Sequence, residues 1–541
     1  MAAGGSRPRT PADVWPAVVP GLLLLLLVLL GCGPAPDARQ AQQRPNVVVV
    51  MTDDQTLESM RVMTGLRSSL AARGTTFERA FVSTALCCPS RATLFTGQYS
   101  HNHGVLGNRP PEGGYGRLDT REWLPVWLQR AGYHTLHIGK FLNRYGQDSP
   151  PTEVPPGWSE WYASVDPSTY QYTGYRLNEN GAVSTYQRYS TDEYAERAAE
   201  AIDRLAPSEA PFFLSVAFLA PHSGGPRDPD DPQALPTPVP AARHRDAFAA
   251  EPLPRGPAFD EADVSDKPSF IRGRRHLGAA RKAAITESYR QELESLLAVD
   301  EAVVRIVSAL RDSGELERTL IVFTSDNGFF HGEHRIPNGK VMPYEPSIRV
   351  PLVLAGPGVP QGARRRQLVT NADLAPTILE AAGATPGRTQ DGSSLFGLLA
   401  DPGLEWGRDL LLEGPDGVRA VAFVALRTYR YLYAEHENGE RELYDLRHDP
   451  HQLRSLHADP RLASLQARFA ERLAALQVCA GASCRSRPRV RLSLRACRAR
   501  VTGAAIERVR IVRLPGFVRA RVRTRDGRAV TLDRQLPAAC R

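Results

Sequence analysis

Four short apolar runs constrain this chain most: Asn46–Met51, Thr135–Ile138, Phe212–Phe218 and Thr319–Thr324. The first and last are continuous and rich in branched residues rather than alternating, as strands are when a parallel sheet is covered on both faces. Each run ends in polar or charged groups: Asp53-Asp54, Gly139-Lys140, Ala220-Pro221-His222-Ser223 and Ser325-Asp326-Asn327-Gly328. In open α/β sheets, ligand groups gather beyond the carboxyl ends of the strands. Asn327-Gly328 also reads as a hairpin turn. The unbroken run before it, the absence of a strand after it and the repeat of the strand-then-Asp order all argue for a site instead. Helical spacing over 193–205 and 283–313, the latter marked by Tyr289, Leu293, Leu296, Val303, Val307 and Leu310, supplies covering helices. Leu352–Leu354 adds a strand and Asn371–Ala382 a helix.

At 541 residues the chain has room for two or three domains. Residues 1–32 carry Arg7 and Arg9, an apolar stretch from Val18 to Leu30, and Gly31-Cys32, the make-up of an export signal. Leu29-Leu30-Gly31-Cys32 resembles a bacterial lipobox, although Leu30 is bulky for its place. On that reading Cys32 is lipidated, 33–44 is a tether, and the protein sits on the extracellular face of a bacterial membrane. An ordinary cleaved signal, giving a secreted protein, is the alternative. Residues 45–403 are expected to form the main domain, with a looped excursion over 224–266. Residues 404–478 should form a smaller α+β unit, with strands at Val418–Leu426 and Tyr429–Tyr433 and a helix over 460–477.

The tail, 479–541, holds 17 Arg against Glu507, Asp526 and Asp533, a net of +14 where the whole chain carries +8. It reads as short strands with a turn at Asp526-Gly527. Binding of a polyanion is one expectation; Arg standing in for Lys on solvated strands is the other. An exported chain meets no nucleic acid, so none is expected as a partner. Cys479, Cys484, Cys497 and Cys540 form an even set, for which two disulfides are expected, 479–484 with 497–540 chosen among three pairings. Only four Lys occur, and two of them, Lys140 and Lys340, fall in motifs; a Lys kept against so strong an Arg bias marks a place where Arg would not serve.

The segment Ala85–Gly97, with Cys87-Cys88-Pro89-Ser90-Arg91 at its core, reads as a loop entering a helix. Pro89 suits the first turn and Ser90 can cap it. A thiol at a helix N-terminus beside Arg91 should have a depressed pKa, or the place should hold an anion. A buried pair of cysteines or a vicinal disulfide is the plainer alternative.

The whole segment resembles the signature of the formylglycine-dependent sulfatases, in which the first Cys is oxidised to an aldehyde by a formylglycine-generating enzyme. The resemblance extends over about 45–478. Within the family it is nearest to the extracellular glucosamine-6-sulfatase group, on Cys-Cys-Pro-Ser-Arg, Gly139-Lys140-Phe141-Leu142-Asn143, Pro156-Gly157-Trp158 and the Lys340-to-Tyr344 spacing. It implies an alkaline-phosphatase-like α/β fold, a large and mostly parallel sheet flanked by helices. It implies formylglycine at Cys87, and one calcium ion, rather than magnesium, held by Asp53, Asp54, Asp326, Asn327 and residue 87. Arg91 and Lys140 would steady the hydrated aldehyde; Lys340 and His222 would contact sulfate, with His222 as general acid. The substrate would be a sulfated carbohydrate or an aryl sulfate. Many sulfatases carry His two residues after the Lys matching Lys140, where this chain has Leu142 and then Asn143. His331 and His334 are candidates for the unassigned base, with a surface position as the alternative. Two rival functions remain at this stage: phosphate or phosphonate ester hydrolysis on the same fold, and a non-catalytic glycan-binding surface lipoprotein.

Overall fold

The computed structural model describes residues 44–229, 231–414, 422–485, 490–495, 497–503, 505–537 and 540. The export signal, Cys32 and the tether lie outside the described residues, as do positions 418–421 of the expected strand Val418–Leu426.

A ten-stranded sheet forms the centre. Its strands are β1 (Asn46–Thr52), β2 (Gly74–Phe77), β3 (His134–Gly139), β4 (Glu160–Ser164), β5 (Tyr175–Glu179), β6 (Ala182–Tyr186), β7 (Phe212–Ala217), β8 (Thr319–Ser325), β9 (Leu352–Ala355) and β10 (Ala363–Arg365). In space they run β10-β2-β9-β8-β1-β7-β3-β4-β5-β6. The five from β8 to β4 are all parallel, and antiparallel pairs occur on either side of them. The four runs singled out in the sequence are β1, β3, β7 and β8, neighbours at the middle of this block, where both faces are buried.

Alternate residues of β1 serve two cores. Val47, Val49 and Met51 pack with α1 (Cys87–Thr96), α2 (Leu124–Arg130) and α5 (Leu374–Ala382); Val48 and Val50 pack with α3 (Ser190–Leu205) and α4 (Ala279–Asp312). β4, β5 and β6 escape sequence reading because their residues mix polar with apolar, and β6 is the half-exposed edge. The described residues of the excursion 224–266 contain one short 3-10 turn, Ala242–His244, and are otherwise irregular.

Beyond the sheet, β11 (Leu410–Gly414), β12 (Phe423–Arg427), β13 (Tyr431–His436) and β14 (Arg441–Asp445) make an antiparallel sheet, packed against α6 (Ala463–Gln477). The tail forms a hairpin, β15 (Val490–Arg495) with β16 (Arg498–Gly503), and a three-stranded sheet of β17 (Ile506–Leu514), β18 (Phe517–Thr524) and β19 (Ala529–Gln535). Asp526-Gly527 turns β18 into β19. Disulfides join Cys479 to Cys484 and Cys497 to Cys540. Among the described residues no helix is long and apolar enough to cross a membrane.

Candidate active site

Strand register assembles the site. Thr52 of β1 lies opposite Ser325 of β8, so the next residues, Asp53-Asp54 and Asp326-Asn327, leave the sheet side by side. On the other flank β7 carries the chain to His222, and β3 ends at Gly139, whose successor Lys140 donates its N–H to Ala217 O at 2.8 Å. Asp54 has φ +66, a left-handed conformation that Asp tolerates better than most residues at a cost of about 1 kcal/mol. Its N–H bonds Asp326 Oδ1 at 3.2 Å, tying the two strand ends together.

Cys87 is the first residue of α1, and all ten residues of that helix are buried. Leu86 is the N-cap and no side chain caps it. The expected cap by Ser90 does not occur: its N–H already bonds Leu86 O at 3.0 Å, and its hydroxyl takes a bond from Asn371 Nδ2 at 3.0 Å. Cys87 and Cys88 are both free thiols, so no vicinal disulfide forms.

The thiol lies between a carboxylate and an ammonium. Cys87 Sγ is 3.5 Å from Asp53 Oδ1 and 3.1 Å from Lys340 Nζ. Lys140 bonds Asp53 and Lys340 bonds Asp54. Arg91 Nε bonds Asp326 Oδ2 at 2.8 Å, its Nη1 bonds Lys140 O at 2.8 Å, and its Nη2 is 3.6 Å from Asp53. His222 Nε2 stands 3.7 Å from Asp54 Oδ2 while Nδ1 is 2.6 Å from Ser223 O. Three carboxylates thus face three permanent cations, and all six side chains are buried or nearly so.

Burial works against the charge of Asp53, but Lys140, His222, Arg91 and Lys340 prevail and hold its carboxyl well below the usual range. Asp326 has less help: burial and Asp53 push it up to about 6. Burial lowers His222. Burial and the charge of Asp53 raise the Cys87 thiol to about 12. That reverses the expectation of a depressed pKa, because desolvation and the carboxylates of Asp53 and Asp326 outweigh Lys140 and Lys340. An unmodified Cys87 is a protonated thiol and a poor nucleophile.

The donor set fits a hard cation. Asn327 Nδ2 bonds Asp54 Oδ1 at 2.6 Å, whereas Asn327 Oδ1 is buried with no partner, a costly state for a carbonyl oxygen that a metal would relieve. Ligand atoms of Asp53, Asp54, Cys87 and His222 lie within 4.8 Å of one another. Three carboxylates and an amide oxygen suit calcium better than zinc.

Several contributors carry no sequence signal, being single residues in loops. Asn108 Oδ1 accepts the Cys88 N–H at 2.9 Å. Asn371 ties Ser90 to Ser83. Tyr170 places its ring 4.7 Å from Lys140 Nζ and 5.1 Å from the His222 ring, and accepts a bond from Asn143 Nδ2 at 2.6 Å. Leu142 goes into the core. His331 and His334 are buried rather than on the surface: His331 Nε2 meets Glu292 at 2.8 Å, and His334 Nδ1 meets Glu261 at 2.6 Å. Each therefore spends a ring nitrogen on a buried carboxylate.

Known proteins resemble this chain over most of its length. The sulfatase family profile matches residues 45–384, and that of the N-sulphoglucosamine sulphohydrolase C-terminal region matches 332–479. The chain is 34% identical over 514 residues to an arylsulfatase of Volvox carteri, covering 85% of this chain and 79% of the relative. It is 32% identical over 541 residues to N-acetylglucosamine-6-sulfatase of Homo sapiens, covering 90% and 93%. The structure of BT4656 in complex with its substrate D-glucosamine-2-N,6-O-disulfate superposes with a TM-score of 0.66 at 24% identity, covering 80% of this chain and 97% of that one. The phosphonate monoester hydrolase of Agrobacterium radiobacter superposes at 0.59, also with 24% identity, over 80% and 95%. These two structural likenesses establish the alkaline-phosphatase/sulfatase-like fold; the two sequence relatives and the family match establish more, and on them the chain belongs to the sulfatase family of hydrolases.

Proposed function

We propose that this sulfatase releases inorganic sulfate from a sulfated sugar or an aryl sulfate, using a formylglycine made from Cys87 and one calcium ion. The observation that carries the reading is a single thiol, held protonated, at the meeting point of three carboxylates and three cations. Asp53, Asp54, Asp326 and Asn327 would hold the ion, and Asn327 Oδ1 is the buried oxygen still lacking a partner. When installed, the hydrated aldehyde supplies one hydroxyl to attack sulfur and a second to expel sulfate, and calcium supplies positive charge against the sulfate oxygens.

The chain's own groups do the rest. Arg91, locked to Asp326 and to Lys140 O, fixes the position of residue 87. Lys140, on Asp53, and Lys340, on Asp54 and Cys87, bring positive charge beside residue 87 and neutralise the ester sulfate as it enters. His222 donates Nδ1–H to Ser223 O, so it hands a proton from Nε2 to the departing alcohol as the imidazolium, a form that burial opposes and that Asp53 and Asp54 favour. Tyr170 backs Lys140 and His222 with its ring and excludes water from that side.

Because Cys87 is 1% exposed, the formylglycine-generating enzyme must reach it before the chain has folded. The names of the relatives support arylsulfate and 6-O-sulfated glucosamine as the substrate classes to test. We assign catalysis to 45–403, support of the site to 404–478 and a separate role to 479–541, with lipidation of Cys32 placing the enzyme on the outer face of a bacterial membrane. The test compares release of sulfate and of phosphate from matched aryl esters by the native protein and by Cys87→Ala. Sulfate release that disappears in the variant supports the reading; preference for the phosphate ester, or sulfate release that survives the substitution, overturns it.

A further inference from the structure

The arginines of the tail take no part in the catalytic cluster, yet their register is specific. β17 and β18 set Arg508 opposite Arg523 and Arg510 opposite Arg521. All four are exposed, and none has an ion pair among the described residues. Two of their neighbours are paired: Arg519 with Asp533 and Asp401, and Arg528 with Asp526. The intervening residues fix which way the ladder faces, because Ala520 and Val522 of β18 pack with Val530 and Leu492 in a small core. Like charges placed directly across a strand pair cost stability, and although the charge of the half-buried Glu405 reaches Arg521 and Arg523, the two rungs keep an excess of positive charge that favours an added counter-anion.

The ladder also adjoins a cavity. Tyr429 lies between two guanidinium groups, Arg79 at 4.0 Å and Arg523 at 4.6 Å from its ring centre. Arg79 and Tyr429 line a cavity of about 760 Å³ in which Arg366 pairs with Glu78 and Arg349 and Arg427 pair with Glu345, whereas Arg79 Nη1 is buried without a hydrogen-bond partner. Thr56 and Phe329, two residues beyond Asp54 and Asn327, line the same cavity. Tyr429 therefore joins the cavity wall to the tail.

We infer that Arg508, Arg510, Arg521 and Arg523, with Arg79 and Tyr429, form a binding track for a sulfated polysaccharide, so that the enzyme works on polymer chains rather than on free sugars alone. This rests on the proposed sulfatase reading with a glycan substrate. Guanidinium forks match the planar oxygen pairs of sulfate groups, and rungs about 7 Å apart, two residues of strand, allow successive sulfates to be met. Continuity with the cavity through Tyr429 favours a chain that enters the enzyme over a lipid headgroup, which would need only an outward-facing patch.

The experiment uses the full chain, the same chain with R508S, R510S, R521S and R523S combined, and a version with Lys at those four positions. Heparin, chemically desulfated heparin and phosphatidylglycerol vesicles are the binding probes; heparin and a small aryl sulfate are the substrates. The track predicts that the serine version loses affinity for heparin about tenfold or more, with a shallower salt dependence. Its KM on heparin rises with kcat kept, its turnover of the aryl sulfate is unchanged, and the lysine version recovers binding. Thermal melting no lower than that of the native chain shows that the fold survives. Unchanged heparin affinity, loss confined to vesicles, or loss of aryl-sulfate turnover overturns the inference. Cys87→Ala separates the two readings: it abolishes hydrolysis and leaves heparin binding intact. A native chain that binds heparin through the ladder but hydrolyses no sulfate ester would sink the catalytic reading alone.

Discussion

The catalytic cluster and the tail are both dense in charge, and they handle it in opposite ways. Around Cys87 three cations meet three carboxylates, out of water, with nearly every polar atom engaged. On β17 and β18 four exposed arginines face one another across the strand pair, in excess over the Glu405 carboxylate near two of them. Coulomb interactions are strong in the first setting and screened in the second. The first arrangement is tightly determined and breaks when one member is removed. The second is held open, tolerates loss and gains from a partner of opposite charge.

The largest break in that comparison comes from Arg91→Met. It leaves Asp326 and Asp53 short of a buried partner, and the expected loss of stability is about 3–5 kcal/mol, read from urea unfolding. A loss below about 1 kcal/mol would mean that the cluster is wetter than its burial indicates. Next comes the proposed ion. Calcium at about a hundred times its dissociation constant should stabilise the native chain by about 2.7 kcal/mol, seen as a rise in melting temperature. Asn327→Ala should shrink that rise, since it removes the unpartnered buried oxygen. A rise equal to that of the native chain would remove Asn327 from the ligand set.

A third effect lies between the two extremes, in a buried pair outside the cluster. Burial works against the charge of His331, but Glu292 at 2.8 Å prevails and lifts it from 6.5 to about 8. Burial raises Glu292 as well, so the folded form binds more protons than the unfolded one. The stability that His331 contributes is then fully present below pH 6.5 and is lost as pH rises through 8, by about 2 kcal/mol, whereas the part from Glu292 begins to be lost at lower pH, above the ordinary carboxylate range. Denaturation midpoints taken between pH 6 and 9 should fall in the native chain and stay flatter in His331→Gln; equal slopes would contradict the assignment. Smallest is the tail: replacing the four ladder arginines by serine should change stability by no more than about 0.5 kcal/mol, because relief of the facing charges is offset by loss of the Arg523–Tyr429 contact.

Much of the site was legible because parallel-sheet chemistry places ligands at strand ends. Asp53, Asp54, Lys140, His222, Asp326 and Asn327 all follow β1, β3, β7 or β8, and the apolar runs that mark those strands are unbroken. Lys340 and Cys87 lie in loop and helix, and only the longer signature pointed to them. Environment was less legible. The helix terminus suggested an acidic thiol at Cys87, but its actual pKa depends on how deeply it is buried and on Asp53 arriving from another strand. His331 and His334 look like surface residues in sequence because Glu292 and Glu261, which hold them, lie far away along the chain. Ser90 looks like a cap by type, but Leu86 already fixes the helix start. Tyr429 gave no sign of joining the tail to a cavity, since that contact exists only once the tail has docked.

The account turns on the chemical state of residue 87, and mass spectrometry of the tryptic peptide Ala80–Arg91 from protein made in its natural host reads that state directly. The account predicts a peptide in which one oxygen has replaced the sulfur and two hydrogens of Cys87. An intact thiol there in an active enzyme would contradict it, because a thiol has no second hydroxyl with which to expel the sulfate.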